Sequence, residues 1–188
     1  MLGSMVFYWL LVALAVLDAE NLWLPNWLTL PGTAAGLLFS AFGFIAAVKL
    51  DAATQSPPYN FQYLHGEQWD IAWSRLLAIA AAAGLILLIR WLYQLIRHRE
   101  GIGLGDAKLM ALLAAWLGLP GALLSFAIGA ILGAIAALAL LAVPAARPNS
   151  ESWAATKLPF GTFLCIGGIV SSFWGQPIIA AYLRWAGF

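Results

Sequence analysis

An all-α, polytopic membrane protein of about six transmembrane helices is the fold class this sequence predicts, and two observations predict it. Hydrophobic residues fill 63% of its 188 positions and charged residues only 9%, a composition outside the range of soluble domains. The apolar residues also gather into charge-free spans, from Met5 to Leu17, Trp27 to Val48, Leu76 to Ile89, Leu109 to Ala146 and Leu158 to Leu183. A bilayer crossing needs about 20 apolar residues per helix. All 188 residues are expected to form a single transmembrane domain.

The first span is short and closes at Asp18. A cleaved secretory signal is the competing reading, but residues 1 to 7 carry no Lys or Arg, which the front of a signal normally supplies. The second span is opened by Pro25 and Asn26, a rigid entry to a helix; the plain reading is a helix start with Pro near its first turn. A loop follows from Lys49 to Trp73, with Pro57, Pro58, Tyr59, His65 and Trp69, and carries no evident chemistry. The span from Leu109 to Ala146 is long enough for two crossings, with a turn at Gly118, Pro120 and Gly121. Gly175 and Pro177 are expected to interrupt the last span. Gly32/Gly36 and Gly129/Gly133 have the spacing that lets helices approach closely, and Trp9, Trp23, Trp27, Trp91 and Trp185 suit interfacial anchors.

Lys and Arg between helices set the orientation. With the N-terminus outside, Arg97, Arg99, Lys108, Arg147 and Lys157 fall in the cytoplasm, against Lys49, Arg75 and Arg184 outside. Both Asp18 and Asp106 then meet the cytoplasmic face.

Several chemistries are excluded. The one cysteine, Cys165, permits no internal disulfide and no Cys-rich zinc site, and suits a packed small hydrophobe. His65 and His98 fall in loops, with no metal-binding helix motif and no buried serine partner. No cofactor or metal is expected. Gly101, Gly103 and Gly105 follow no strand and make no nucleotide site. A net charge of +1 gives no nucleic-acid signal.

Two acids stand out. Asp106 lies between a glycine-rich turn and a long uncharged run, and Asp18 ends the first apolar stretch. Acids in such places are expensive and usually functional. Each has a plain reading as well: Asp106 as a helix N-cap, Asp18 as a solvated helix end. The helix ends suggest an asymmetry, because Asp106 stands at a helix N-terminus with Lys108 two residues on, whereas Asp18 meets the unfavourable end of its own helix dipole. Asp106 is then the resting anion and Asp18 the protonated partner.

Read with their flanks, these residues resemble a known family. GIGLGDAK (residues 101 to 108) is similar to the G-x-G-D-x-K signature of the type IV prepilin peptidases, GxGD-type membrane aspartic proteases. LDAENLWLPNWLTLP (residues 17 to 31) resembles that family's first catalytic segment, with Asp18 seven residues before Pro25 and Asn26. KLPFGTFLCIGG (residues 157 to 168) resembles its Pro-Phe-Gly segment. Three matches in order are far more specific than a lone GxGD.

The resemblance implies the GxGD protease fold with six helices and a catalytic dyad of Asp18 and Asp106. Two carboxyl groups about 3 Å apart cannot both ionise, so one serves as base toward water and the other as acid. It further implies that Gly103 and Gly105 turn the chain and let substrate approach, that the Pro25–Asn26 segment helps to place Asp18, and that Pro159, Phe160 and Gly161 border the substrate groove. Glu20, the nearest other acid, is a candidate contact for a basic leader peptide. The implied substrate is a prepilin or pseudopilin, cleaved at the cytoplasmic face of the bacterial inner membrane amid membrane lipid, in the service of pilus assembly or type II secretion. Many members carry an N-terminal region with paired cysteines credited with methylation. This chain starts at the first catalytic helix, so peptidase activity without methyl transfer is expected. A preflagellin-type peptidase is the nearest alternative, and a small transporter using intramembrane acids the most distant.

Overall fold

The computed structural model describes residues 2–21, 23–54, 68–97, 103–142 and 159–186. Of the residues singled out above, Pro57, Pro58, Tyr59, His65, His98, Arg99, Gly101, Arg147 and Lys157 lie outside them. Every regular element among the described residues is a helix: α1 Leu2–Asn21, α2 Asn26–Thr54, α3 Gln68–Arg97, α4 Leu104–Ala142 and α5 Phe160–Ala186. Among the described residues, four segments are long and apolar enough to cross a membrane: Leu2–Asn21, Trp73–Ile96, Leu104–Leu140 and Phe160–Ala186. The chain is a multi-pass membrane protein, because helices satisfy their own backbone groups where lipid cannot.

Five helices and an expected six are reconciled at Gly118. Its backbone (φ 74°, ψ 178°) is not helical and lies in a region essentially reserved for glycine. Packing shows that the chain reverses there. In the first arm of α4, Leu113 lies against Gly168 of α5. In the second arm, Gly121 meets Ser171 through a 2.9 Å hydrogen bond from the serine hydroxyl, Gly129 lies on the backbone of Leu164, and Gly133 faces Phe163 and Phe160. Sequence numbers fall along α5 as they rise along this arm, so the two run antiparallel. The turn expected at Gly118, Pro120 and Gly121 is therefore present. The first arm, residues 104–117, is about 21 Å long at 1.5 Å per residue.

α1 also runs antiparallel to α5. Tyr8 and Ser172 share a 2.8 Å hydrogen bond, Leu11 lies on Gly168, and Asp18 lies on Gly161. α2 leaves from the same end, with Gly32 against Leu10 and Leu112, and Gly36 under the Trp116 ring. The Trp116 indole donates to the Gly32 carbonyl at 2.9 Å. The glycine pairs thus do what their spacing predicts, since a side chain at Gly36 would stand 2.6 Å from that ring. Leu11, Leu14, Ile86, Leu109, Met110, Leu112, Leu113 and Leu164 are fully buried between the rods. Trp9, Val12, Leu88, Trp91, Ile131, Ile135 and Phe173 are exposed, the apolar exterior that lipid solvates.

Two boundaries differ from expectation. α5 runs unbroken through Pro177 and is not interrupted there; a proline inside a membrane helix is tolerated because neighbouring groups satisfy the carbonyl it frees. α2 continues through Lys49 and Asp51 to Thr54 and α3 starts at Gln68, so the loop expected from Lys49 to Trp73 begins later and ends sooner. The charges mark the end of the apolar span without ending the helix.

Candidate active site

The end of α1 and the starts of α2, α4 and α5 meet at one end of the bundle. Both acids lie there. Asp18 is in the last full turn of α1 and Asp106 in the first turn of α4, with 6% and 8% of their surfaces exposed. The two carboxyl groups are within range of each other's charge, and the buried Cys165 thiol of α5 is within range of both.

The setting of Asp106 is local. Its backbone N–H donates to the Gly103 carbonyl at 3.3 Å, while its Oδ2 accepts the Gly103 N–H, also at 3.3 Å. This is half of a capping box: the acid at the third helical position reaches back to the N-cap amide, while the glycine, having no side chain, offers its carbonyl instead. The plain reading of Asp106 as a capping residue is thus partly realised, and it engages Oδ2.

The setting of Asp18 is tertiary. Its Oδ2 accepts the backbone N–H of Thr162 at 2.8 Å, and the Thr162 hydroxyl lies 3.3 Å from the same oxygen. That hydroxyl is also 3.0 Å from the Ala15 carbonyl. Thr162 is in the first turn of α5, so Asp18 sits at a helix N-terminus belonging to another rod. The asymmetry expected from helix ends does not follow, because both acids meet the favourable end of a helix dipole. Asp18 also lies in the space a β-carbon on Gly161 would fill, 2.7 Å from its Oδ2 and 2.8 Å from its carboxyl carbon. Thr162 follows directly after Pro-Phe-Gly at the opening of a helix, and that place is its signal in the sequence.

The other candidates divide. Gly161 is buried against Asp18. Phe160 packs edge-on against Phe126, ring centres 6.1 Å apart, and Pro159, like Phe160, is half-buried. Pro25 is fully buried; its carbonyl accepts the N–H groups of Leu28 and Thr29 at 3.2 and 3.1 Å and the Thr29 hydroxyl at 3.2 Å, which fits the plain reading of a helix start. Asn26 is exposed and accepts a 2.5 Å hydrogen bond from the Lys108 ammonium, joining the starts of α2 and α4. Lys108 is thereby engaged with Asn26 and not with Asp106. Gly105 packs beneath Leu24, where a β-carbon would come within 3.0 Å; Gly103 is exposed. Neither has positive φ, which among the described residues occurs only at Gly118. Glu20 is exposed, two residues beyond Asp18. Among the described residues, no three His, Cys, Asp or Glu side chains gather as metal ligands would.

A multi-pass helical membrane protein that buries two carboxyl groups together at one end of its bundle belongs to a narrow class, and comparison with known proteins says which. Residues 5–138 match the model of the type IV leader peptidase family, and the chain belongs to that family. It is 33% identical over 187 residues to a prepilin leader peptidase/N-methyltransferase of Pseudomonas aeruginosa, covering 99% of this chain and 54% of that protein. It is 32% identical over 191 residues to one of Xanthomonas campestris, covering 98% and 54%, and 36% identical over 172 residues to one of Burkholderia pseudomallei, covering 89% and 44%. The chain spans about half the length of the curated relatives it matches. No solved structure matches it.

Proposed function

We propose that this chain is an aspartic endopeptidase that removes the leader peptide from type IV prepilins or pseudopilins, with Asp18 and Asp106 as its catalytic pair. The observation that carries the reading is the burial of two acids at the same end of an otherwise apolar bundle, within range of each other's charge. Membership of the leader peptidase family supports it.

The chemistry follows from the pair. Buried carboxyl groups within range of each other share a proton in preference to ionising together. The ionised member takes a proton from water as its oxygen attacks the scissile carbonyl, and the protonated member gives its proton to the carbonyl oxygen; the proton taken from water then passes to the leaving amine while a hydroxyl proton of the intermediate returns to the second carboxylate. The C–N bond breaks, and water supplies OH to the acid product and H to the amine, so no acyl-enzyme is formed. Gly103 is exposed beside Asp106 and leaves room for an extended substrate backbone. Glu20, exposed near Asp18, suits a basic residue of the leader. Pro25, Asn26, Gly105 and Lys108 hold the starts of α2 and α4 in place, and Pro159, Phe160 and Gly161 do the same for α5 around Asp18.

The bond to be cut joins a basic leader to an apolar helix, which places it at a membrane boundary. The distribution of Lys and Arg supports a site on the cytoplasmic face of a bacterial inner membrane. Coexpression with prepilins, pseudopilins and preflagellins, scoring leader loss on a gel, tests the reading. Wild type should process a prepilin or pseudopilin, and Asp18→Asn and Asp106→Asn should each lower the rate by at least about a thousandfold. Normal processing by either variant would sink the pair, and processing of preflagellin alone would change the substrate.

A further inference from the structure

We infer that Thr162 is a positioning residue for catalysis, fixing Asp18 through one carboxylate oxygen so that the other carries the working proton. The inference rests on the reading of Asp18 as half of the catalytic pair.

Asp18 closes a helix, and nothing in its own helix holds its side chain. Both contacts that hold it come from Thr162, 144 positions away, and both fall on Oδ2. The backbone amide, at 2.8 Å, is a donor in every state of the site. Oδ2 is therefore a standing acceptor and a poor place for a proton. Among the described residues Oδ1 accepts no hydrogen bond, and it is the oxygen left to exchange protons with water, substrate and Asp106.

The hydroxyl adds an adjustable element. It has one proton and two acceptors in reach, the Ala15 carbonyl at 3.0 Å and Asp18 Oδ2 at 3.3 Å. When Asp18 is ionised, the charge-assisted bond to Oδ2 is the stronger. When Asp18 is protonated, the hydroxyl turns to Ala15, one turn back along α1. The carboxyl group is thus held through the cycle while its charge changes, and Gly161 provides the space in which it is held.

Thr162→Val keeps the shape and the amide but loses the hydroxyl; Thr162→Ser keeps the amide and the hydroxyl and loses only the methyl. With a full-length type IV prepilin in detergent, kcat for Thr162→Val should fall about tenfold and KM should stay within about twofold. Thr162→Ser should recover kcat to within about threefold of wild type, and melting temperatures should show that all variants fold. Wild-type kcat in Thr162→Val beside an inactive Asp18→Asn would overturn the inference alone, as would a loss that serine fails to rescue. Wild-type cleavage by Asp18→Asn would overturn the reading of Asp18, and the inference with it.

Discussion

The carboxyl group of Asp18 occupies the space that a side chain on Gly161 would need, its Oδ2 lying 2.7 Å from where a β-carbon would stand. What must yield is the tip of a side chain and not backbone. Gly161→Ala should therefore fold with nearly wild-type thermal stability while losing activity about a hundredfold, the scale of a 1 Å misplacement of a reacting group. Wild-type kcat/KM in this variant would show that the carboxyl group can move without consequence.

Gly167→Ala should do the opposite. A β-carbon there would run into the Ser125 carbonyl oxygen, with the Gly129 amide also close, so two helix backbones would have to separate. Overpacking of this kind costs about 1–3 kcal/mol, and thermal denaturation in detergent should show it. Molecules that remain folded should cleave substrate at near the wild-type rate, because Gly167 lies six residues, about 9 Å, along α5 from Gly161 and faces Ser125 and Gly129. An unchanged melting temperature would contradict the packing described.

Gly118→Ala places a β-carbon at φ 74°, with the Arg75 guanidinium 3.2 Å away. The backbone strain alone is about 1–3 kcal/mol. Lower stability is expected, together with protease sensitivity at the turn between the two arms. A variant as stable as wild type would mean that the turn can be made another way.

Asn26 and Lys108 act as one link between the starts of α2 and α4. Asn26→Ala and Lys108→Ala should each lower kcat/KM by about two- to fivefold, and the double variant should lose no more than either alone, the mark of a shared interaction. Strictly multiplicative losses would show that the two residues work separately.

Much of this arrangement was legible in the sequence because membranes punish exceptions. Asp18 and Asp106 stand out where lipid-spanning residues should carry no charge, and Gly118, Pro120 and Gly121 punctuate a span too long for one crossing. The glycine pairs announced close helix contacts, which Gly36 and Gly129 make. What was not legible depends on which rods meet. Thr162 looks like any helix-opening threonine until α5 is laid antiparallel to α1, and the electrostatic setting of Asp18 depends on the start of α5, which its own helix does not reveal. Pro177 has the signature of a break, and the sequence does not show the packing that lets a helix continue through it. The end of α2 was read from charge, which marks where lipid stops and not where hydrogen bonding stops.

The short first arm of α4 has a physical consequence for depth in the membrane. A rod of about 21 Å falls well short of a hydrocarbon layer about 30 Å thick, so this arm alone cannot carry the chain from one headgroup layer to the other, and Asp106 or Gly118 must lie below its surface. With Leu109, Met110, Leu112 and Leu113 fully buried, that shortfall is bordered by neighbouring helices and not by lipid.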